Sequence, residues 1–187
     1  MNTTERIVES YFRICRGCFT APDVKVINGN NRQIDLLAYN LGSKHIFHVE
    51  TSVTHCENWC PTHTNLEQSF DFKFLGRPKP TEGKNTDYAK KKTYEQHILA
   101  TYRKYGVAPE EVRRVWCCWA VRGDQDLPSF IANYCASRKL IHHPIEILSF
   151  RDTVIPKLQE CVGSSNYEDD VLRTFSLLRE HELQSIQ

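Results

Sequence analysis

The chain has 187 residues, of which 40% are hydrophobic and 25% are charged, and its formal net charge is +1. These values are typical of one globular domain with a buried core, and they exclude a chain that is basic throughout its length. No apolar run approaches the roughly 20 residues of a membrane span, and the polar start lacks the apolar centre of a signal peptide. We therefore expect a cytoplasmic protein with no membrane partner, whose eight cysteines are thiols or metal ligands rather than disulfides.

Apolar periodicity predicts one helix and three strands in the first third of the chain. Residues 4–15 carry apolar side chains at helical spacing. Three strands are predicted after this helix, over 24–28, 32–40 and 45–53, and the sequences GNN and LGSK separate them as turns. Residues 55–85 are polar and punctuated by proline and glycine, so we interpret them as a long loop.

The rest of the chain alternates helices and strands. Helices are predicted over 88–106, 126–140, 151–162 and 167–184, and strands over 113–121 and 145–150. Helices that connect strands indicate an α/β fold, a mixed β-sheet with helices on both faces. We expect a single domain over 1–187, with its core at about 4–160 followed by the C-terminal helix. The adjacent cysteines of the 113–121 strand, Cys117 and Cys118, are expected in the core.

Two neighbouring predicted strands each hold one acid among aliphatic residues. Asp35 lies in QIDLLAYN and Glu50 lies in HVETSVT. Strands rarely bury an acid without a partner, and adjacent strands place their side chains within reach of each other. Two close carboxylates repel unless a cation or a shared proton lies between them, and carboxylate oxygens suit Mg²⁺ or Mn²⁺. The alternative is that Asp35 caps a strand end and Glu50 pairs with a nearby arginine or lysine.

A glutamate on the first helix followed by these two strands resembles the PD-(D/E)XK, or restriction-endonuclease-like, superfamily of nucleases. The resemblance is nearest to its small members that are similar to Holliday-junction resolvases, and it covers about residues 4–121. It implies that Glu5, Asp35 and Glu50 hold one or two Mg²⁺ or Mn²⁺ ions and that the chain is a DNA endonuclease, for which a homodimer is one expected assembly. Glu9 competes with Glu5 for the helix position, since the two share a helix face.

The sequence departs from the family pattern at Ser52, where the resemblance expects a lysine two residues after Glu50. A serine hydroxyl carries no charge, so it cannot stabilise developing negative charge as an ammonium does. One explanation is a lysine on a neighbouring element. Another is a catalytically inactive module that binds DNA or takes part in assembly, and a third is an incorrect alignment. We predict that a lysine of the following helix supplies the missing charge, with Lys90, Lys91 and Lys92 as the candidates. Lys73, which precedes that helix, is the last candidate.

Basic residues are concentrated between residues 67 and 104. This stretch has nine lysines and arginines against five acids. One interpretation is a basic face that meets DNA phosphates. The other is an ordinary solvated helix surface.

The motifs CRGC and HCENWC place four cysteines at spacings that could supply a zinc site. A histidine just after the second motif is a further possible ligand. This pattern leaves open a third function, a zinc-stabilised interaction protein whose acids are structural. The candidate zinc ligands are Cys15, Cys18, Cys56, Cys60 and His63.

Overall fold

Five strands form one mixed sheet in the order β1-β2-β3-β4-β5. In the computed structural model, the chain is described over residues 1–53, 62–77, 93–121, 126–140, 142–163 and 165–185. Strands β1 to β3 are antiparallel neighbours, and β4 and β5 continue the sheet parallel to β3. The strands are β1 Cys18–Lys25, β2 Gln33–Asn40, β3 His45–Ser52, β4 Val112–Cys118 and β5 Glu146–Ser149.

Helices cover both faces of the sheet, as the alternation of helices and strands predicts. One face is covered by α1 (Thr3–Ile14), α5 (Ile155–Cys161) and α6 (Asp170–Ser185), whose apolar side chains form a single cluster with the sheet. Two further clusters lie under α2 (His63–Lys73), α3 (Glu95–Lys104) and α4 (Leu127–Ser137) on the other face. The expectation of an α/β single domain with a mixed sheet is therefore confirmed.

The strand predictions for β2 and β3 are confirmed to within a residue or two, but the prediction for the first strand is largely wrong. β1 begins at Cys18, six residues earlier than the predicted start at Val24. The earlier part of β1 contains Pro22, which disfavours a strand assignment from sequence. Proline is tolerated in an edge strand such as β1, because the strand has a pairing partner on one side only.

The interpretation of residues 55–85 as one long loop is wrong in its middle, where α2 lies. The Thr62 hydroxyl caps this helix by accepting the Asn65 N–H at 3.4 Å. Leu66, Phe70 and Phe74 follow at four-residue spacing, and all three are buried against the sheet. The flanking proline and glycine residues hide this short periodic signal in the sequence.

The later elements agree with prediction apart from their ends. α3 begins at Glu95 rather than at residue 88, and residues 88–92 lie outside the described part of the chain. Asp126 caps α4 as expected, by accepting the Ser129 N–H at 3.2 Å. Within the described ranges, no helix is both long and apolar enough to cross a membrane.

Candidate functional site: a buried carboxylate pair and its lysine

Asp35 and Glu50 meet on one face of the sheet. In the antiparallel β2–β3 pair, Leu37 lies opposite His48, and the same register continued by two residues sets Asp35 opposite Glu50. Directly opposed side chains of neighbouring strands share a face, which here is the face covered by α2 and α3. Both acids are buried, with 5% of Asp35 and 1% of Glu50 exposed.

A lysine from α2 links the two acids. The Lys73 Nζ atom lies 2.6 Å from Glu50 Oε2 and 3.4 Å from Asp35 Oδ2. Asp35 Oδ2 also accepts the Thr51 N–H at 2.8 Å, which anchors its carboxyl group to β3. One ammonium therefore offsets part of the repulsion between the two carboxylates, and it gives Glu50 the lysine partner that the alternative interpretation expects.

Burial and mutual repulsion change the protonation of this group. Burial, followed by the charge of Glu50, raises the pKa of Asp35 to about 6 against the pull of Lys73. Burial also raises the pKa of Glu50, and the Lys73 ammonium opposes that rise. Burial disfavours the charged form of Lys73, but the two carboxylates outweigh it and raise its pKa. Both carboxyl groups therefore hold a proton more tightly than usual, and the pKa of about 6 brings the titration of Asp35 toward neutral pH.

Behind Glu50, a buried chain of hydrogen bonds runs into the core. Burial and the charge of Arg114 hold the pKa of His48 well below its usual value, so the imidazole is neutral. His48 Nε2 lies 2.7 Å from Glu50 Oε1, and Nδ1 contacts the Tyr102 hydroxyl. Because a carboxylate only accepts, Nε2 carries the proton, and Nδ1 accepts from Tyr102. Burial raises the pKa of Tyr102 against the nearby charge of Arg114, so the Tyr102 hydroxyl keeps its proton and can donate it to His48.

This chain of hydrogen bonds gives Tyr102 a measurable structural role. We expect Tyr102→Phe to lower the free energy of unfolding by about 1–3 kcal/mol, because His48 Nδ1 would remain buried without a donor. Urea denaturation followed by circular dichroism measures this change. Tyr105→Phe, at a half-exposed ring one helical turn away, is the matched control and should have no effect. Equal stabilities for the two variants would contradict the assigned hydrogen bond.

A polar cleft of about 550 Å³ opens beside the acids. It is lined by Asp35, by Phe72 and Lys73 at the end of α2, by Tyr94, and by the turn between β1 and β2 over residues 29–33. The cleft provides a route from solvent to Asp35 and to Lys73, which in turn contacts Glu50. A substrate group in this cleft would face the Asp35 carboxyl and the Lys73 ammonium.

The first helix does not add its acids to the pair. The Glu5 carboxylate accepts the Asn2 backbone N–H at 2.8 Å and its side-chain amide at 2.7 Å, a capping box at the start of α1. Glu9 accepts the hydroxyl of Thr20 in β1 at 2.8 Å. In the described part of the chain, no group of three or more His, Cys, Asp or Glu side chains could hold a metal ion. Glu5 must release Asn2 before it can act as a ligand, and its metal role stays a prediction.

The other candidate residues are distributed as follows. Lys90, Lys91 and Lys92 lie outside the described residues, as do Cys56 and Cys60. Cys15 and Cys18 direct their thiols to the carbonyl oxygens of Lys157 and Arg16, and the His63 ring stacks on Phe130 at 4.5 Å. Cys117 and Cys118 are fully buried, which confirms their place in the core.

The predicted basic stretch is partly neutralised where the structure describes it. Lys73 binds the buried acids, and Arg77 lies 3.6 Å from Asp71 in an ion pair. Arg103 and Lys104, in the last turn of α3, are exposed. Both interpretations of this stretch therefore remain predictions.

From the sequence, Lys73 is the last of the candidate lysines, and neither His48 nor Arg32 is predicted at the site. The signal for Lys73 was the four-residue spacing of Leu66 and Phe70, which indicates a helix that ends beside β2 and β3. The signal for His48 was its position two residues before Glu50, which puts both side chains on one face of a strand. Arg32 has no signal in the sequence, because its neighbours come from α2 and from a distant segment.

Comparisons of the chain with models of protein families, with curated proteins and with solved structures each gave no match.

Proposed function

We propose that this protein is a nuclease with a PD-(D/E)XK-like core that hydrolyses DNA phosphodiester bonds with the help of Mg²⁺ or Mn²⁺. The observation that carries the proposal is the contact of one lysine ammonium with two buried, opposed carboxylates on adjacent strands. An antiparallel three-stranded unit followed by a parallel strand is consistent with such a core. We assign Asp35, Glu50 and Lys73 to the site.

Lys73 would supply the positive charge that Ser52 lacks at the position where the resemblance expects a lysine. Its ammonium comes from α2 instead of from β3, yet it reaches the same two acids. A positive charge held there offsets the negative charge that develops on a phosphate during hydrolysis. This contact favours the active nuclease over the inactive DNA-binding module.

The two carboxyl groups suit a divalent ion by their chemistry. Oxygen ligands from one or two carboxylates, completed by water and substrate oxygens, are typical of Mg²⁺ sites. Both groups contact the same ammonium, so their mutual repulsion favours a cation beside them. Asp35 and Glu50 would hold the ion, which supplies an activated water and charge stabilisation when bound. His48 orients Glu50 by donating to its Oε1 atom.

Purified protein incubated with labelled duplex, branched and single-stranded DNA tests the proposal directly. We expect strand cleavage in Mg²⁺ or Mn²⁺ and none in EDTA. DNA that is bound but never cut with either ion would favour the inactive module. Stoichiometric zinc in elemental analysis, together with no affinity for DNA, would favour the zinc-stabilised interaction protein.

The raised pKa of Asp35 predicts how cleavage depends on pH. Because Asp35 must lose its proton to bind a cation, we expect the single-turnover cleavage rate to fall about tenfold per pH unit below about pH 6.

The free energy of unfolding should depend on pH in the opposite direction, decreasing where the cleavage rate increases. The folded state holds this proton more tightly than the unfolded chain, so the free energy of unfolding decreases as pH rises from about 4 to 6. A cleavage rate that is flat between pH 5 and 7 would contradict the assignment.

A further inference from the structure

Arg32, at the mouth of the polar cleft, is a cation without an acidic partner among the described residues. One of its N–H groups donates to the Phe72 carbonyl at 2.6 Å, at the end of α2. Its guanidinium lies over the rings of Phe72 and Tyr94, at 4.5 and 5.4 Å from their centroids. In the described part of the chain, Arg32 makes no ion pair, whereas Lys73 beside it contacts two acids.

The position of this charge is held from several sides. The turn that carries Arg32 is closed by hydrogen bonds between Val26 and Arg32 and between Gly29 and Arg32, each of 3.0 Å. Asn30 and Asn31 in this turn have positive φ angles, a conformation that asparagine tolerates better than most residues. The guanidinium is therefore held in place before any ligand arrives, which lowers the entropy cost of binding.

The unused donors of Arg32 are accessible to a ligand. Its hydrogen bond to Phe72 occupies Nη1, and within the described ranges none of its other side-chain nitrogen atoms is both buried and unpaired. A guanidinium has five N–H donors in a planar fork that matches the oxygens of a phosphate. Half-burial removes part of the water from this charge, and it lowers the pKa of Arg32 against the attraction of Glu50. A partly desolvated cation without a counter-charge is the arrangement that an anion would complete.

We propose that Arg32 and its cleft form a binding site for a backbone phosphate of the nucleic-acid strand, next to the phosphate that is cut. This inference rests on the proposed function, since it extends the same site along the bound strand. Arg32 forms no ion pair with Asp35 or Glu50, so an anion on its open side is a different group from one held at Lys73. Arg32 thereby positions the strand, and it takes no part in the chemistry.

Equilibrium binding of fluorescent single-stranded and duplex DNA in EDTA, over a range of salt concentrations, tests this site without cleavage. We expect Arg32→Gln to weaken binding about tenfold and to reduce the slope of log Kd against log salt by about one. Arg32→Lys keeps the charge and should keep the slope while weakening binding less. Arg173→Gln, on α6 at the opposite face of the sheet, removes the same charge and should change neither quantity.

A second variant keeps the test valid if the loss of Arg32 loosens the end of α2. Asn31 is exposed in the wall of the cleft, so Asn31→Asp should fold normally and weaken DNA binding several-fold by repulsion. Inorganic phosphate, added at constant ionic strength, should compete no better than chloride if the site needs a strand. Better competition by phosphate would show a site for the free ion and overturn the strand assignment.

The possible failures are distinguishable. Wild-type binding with unchanged affinity and slope in both Arg32→Gln and Asn31→Asp would overturn this site and leave the nuclease proposal standing. A wild-type protein that binds no DNA in any form would overturn the proposed function, and this site with it.

Discussion

Replacement of Asp35 by asparagine should abolish metal-dependent cleavage while the protein remains folded. The amide keeps the shape of the side chain, and its oxygen can still accept the Thr51 N–H. It removes the negative charge that a divalent ion needs, so we expect the cleavage rate to fall by at least about 10²-fold. Because burial already raises the pKa of Asp35 to about 6, an uncharged side chain is tolerated at this position.

The measurement is a single-turnover cleavage assay, with urea denaturation and DNA-binding titrations on the same preparation. Asp152→Asn is the matched control, because Asp152 is an exposed acid in the helical turn that precedes α5, bound to Ser149 and Arg151. This control should cleave as the wild type does. Full activity in Asp35→Asn would remove Asp35 from the mechanism, and unfolding of that variant would show that its role is structural.

Replacement of Lys73 by methionine should reduce the cleavage rate by about 10²- to 10³-fold, the cost of removing one charge-stabilising group. Methionine keeps most of the length and the apolar stem of the side chain. Without the ammonium, the pKa of Asp35 should rise further, since Lys73 is the group that lowers it most. The stability of the variant should therefore increase as pH is lowered from 7 to 5.

A lysine introduced at position 52, where the resemblance expects one, provides a sharper test of whether Lys73 supplies the missing charge. Ser52 is two residues from Glu50 in β3, so its side chain lies on the same face of the strand. We expect Ser52→Lys combined with Lys73→Met to regain a measurable part of the lost rate. Lys157→Met, which removes an exposed lysine paired with Glu160 on α5, is the control and should keep full activity. If Lys73→Met cleaves like this control, a lysine elsewhere supplies the charge, and Lys91 and Lys92 become the next candidates.

The strands and the carboxylate pair could be predicted because their determinants are local. The β2 and β3 sequences contain mostly aliphatic residues interrupted by one acid each, and a short turn between them leaves an antiparallel hairpin as the simplest pairing. The cap at Asp126 and the apolar β4 strand are equally local signals. Such features need no knowledge of distant residues, and the sequence predicted them correctly.

The partners of the pair could not be predicted in the same way. Lys73 reaches Asp35 from 38 positions along the chain, and Tyr102 reaches His48 from 54 positions away. Both contacts depend on how α2 and α3 pack across the sheet, which follows from the burial of Phe70, Phe74 and Ile98 together. The sequence favours the lysines of the predicted helix over 88–106 instead, because the residues of α2 are interpreted as a loop.

By itself, the sequence determined the α/β class, the mixed sheet and the two acids on adjacent strands, since hydrophobic period and short turns set these features locally. Only the tertiary structure decided which cation meets the acids, which histidine orients Glu50, and which arginine faces the cleft. Glu5 illustrates the same division. The sequence places it on α1, but the hydrogen bonds to Asn2 decide where its carboxylate lies. Charge pairing depends on distances of a few ångströms, and those distances are set by packing among elements that lie far apart in the chain.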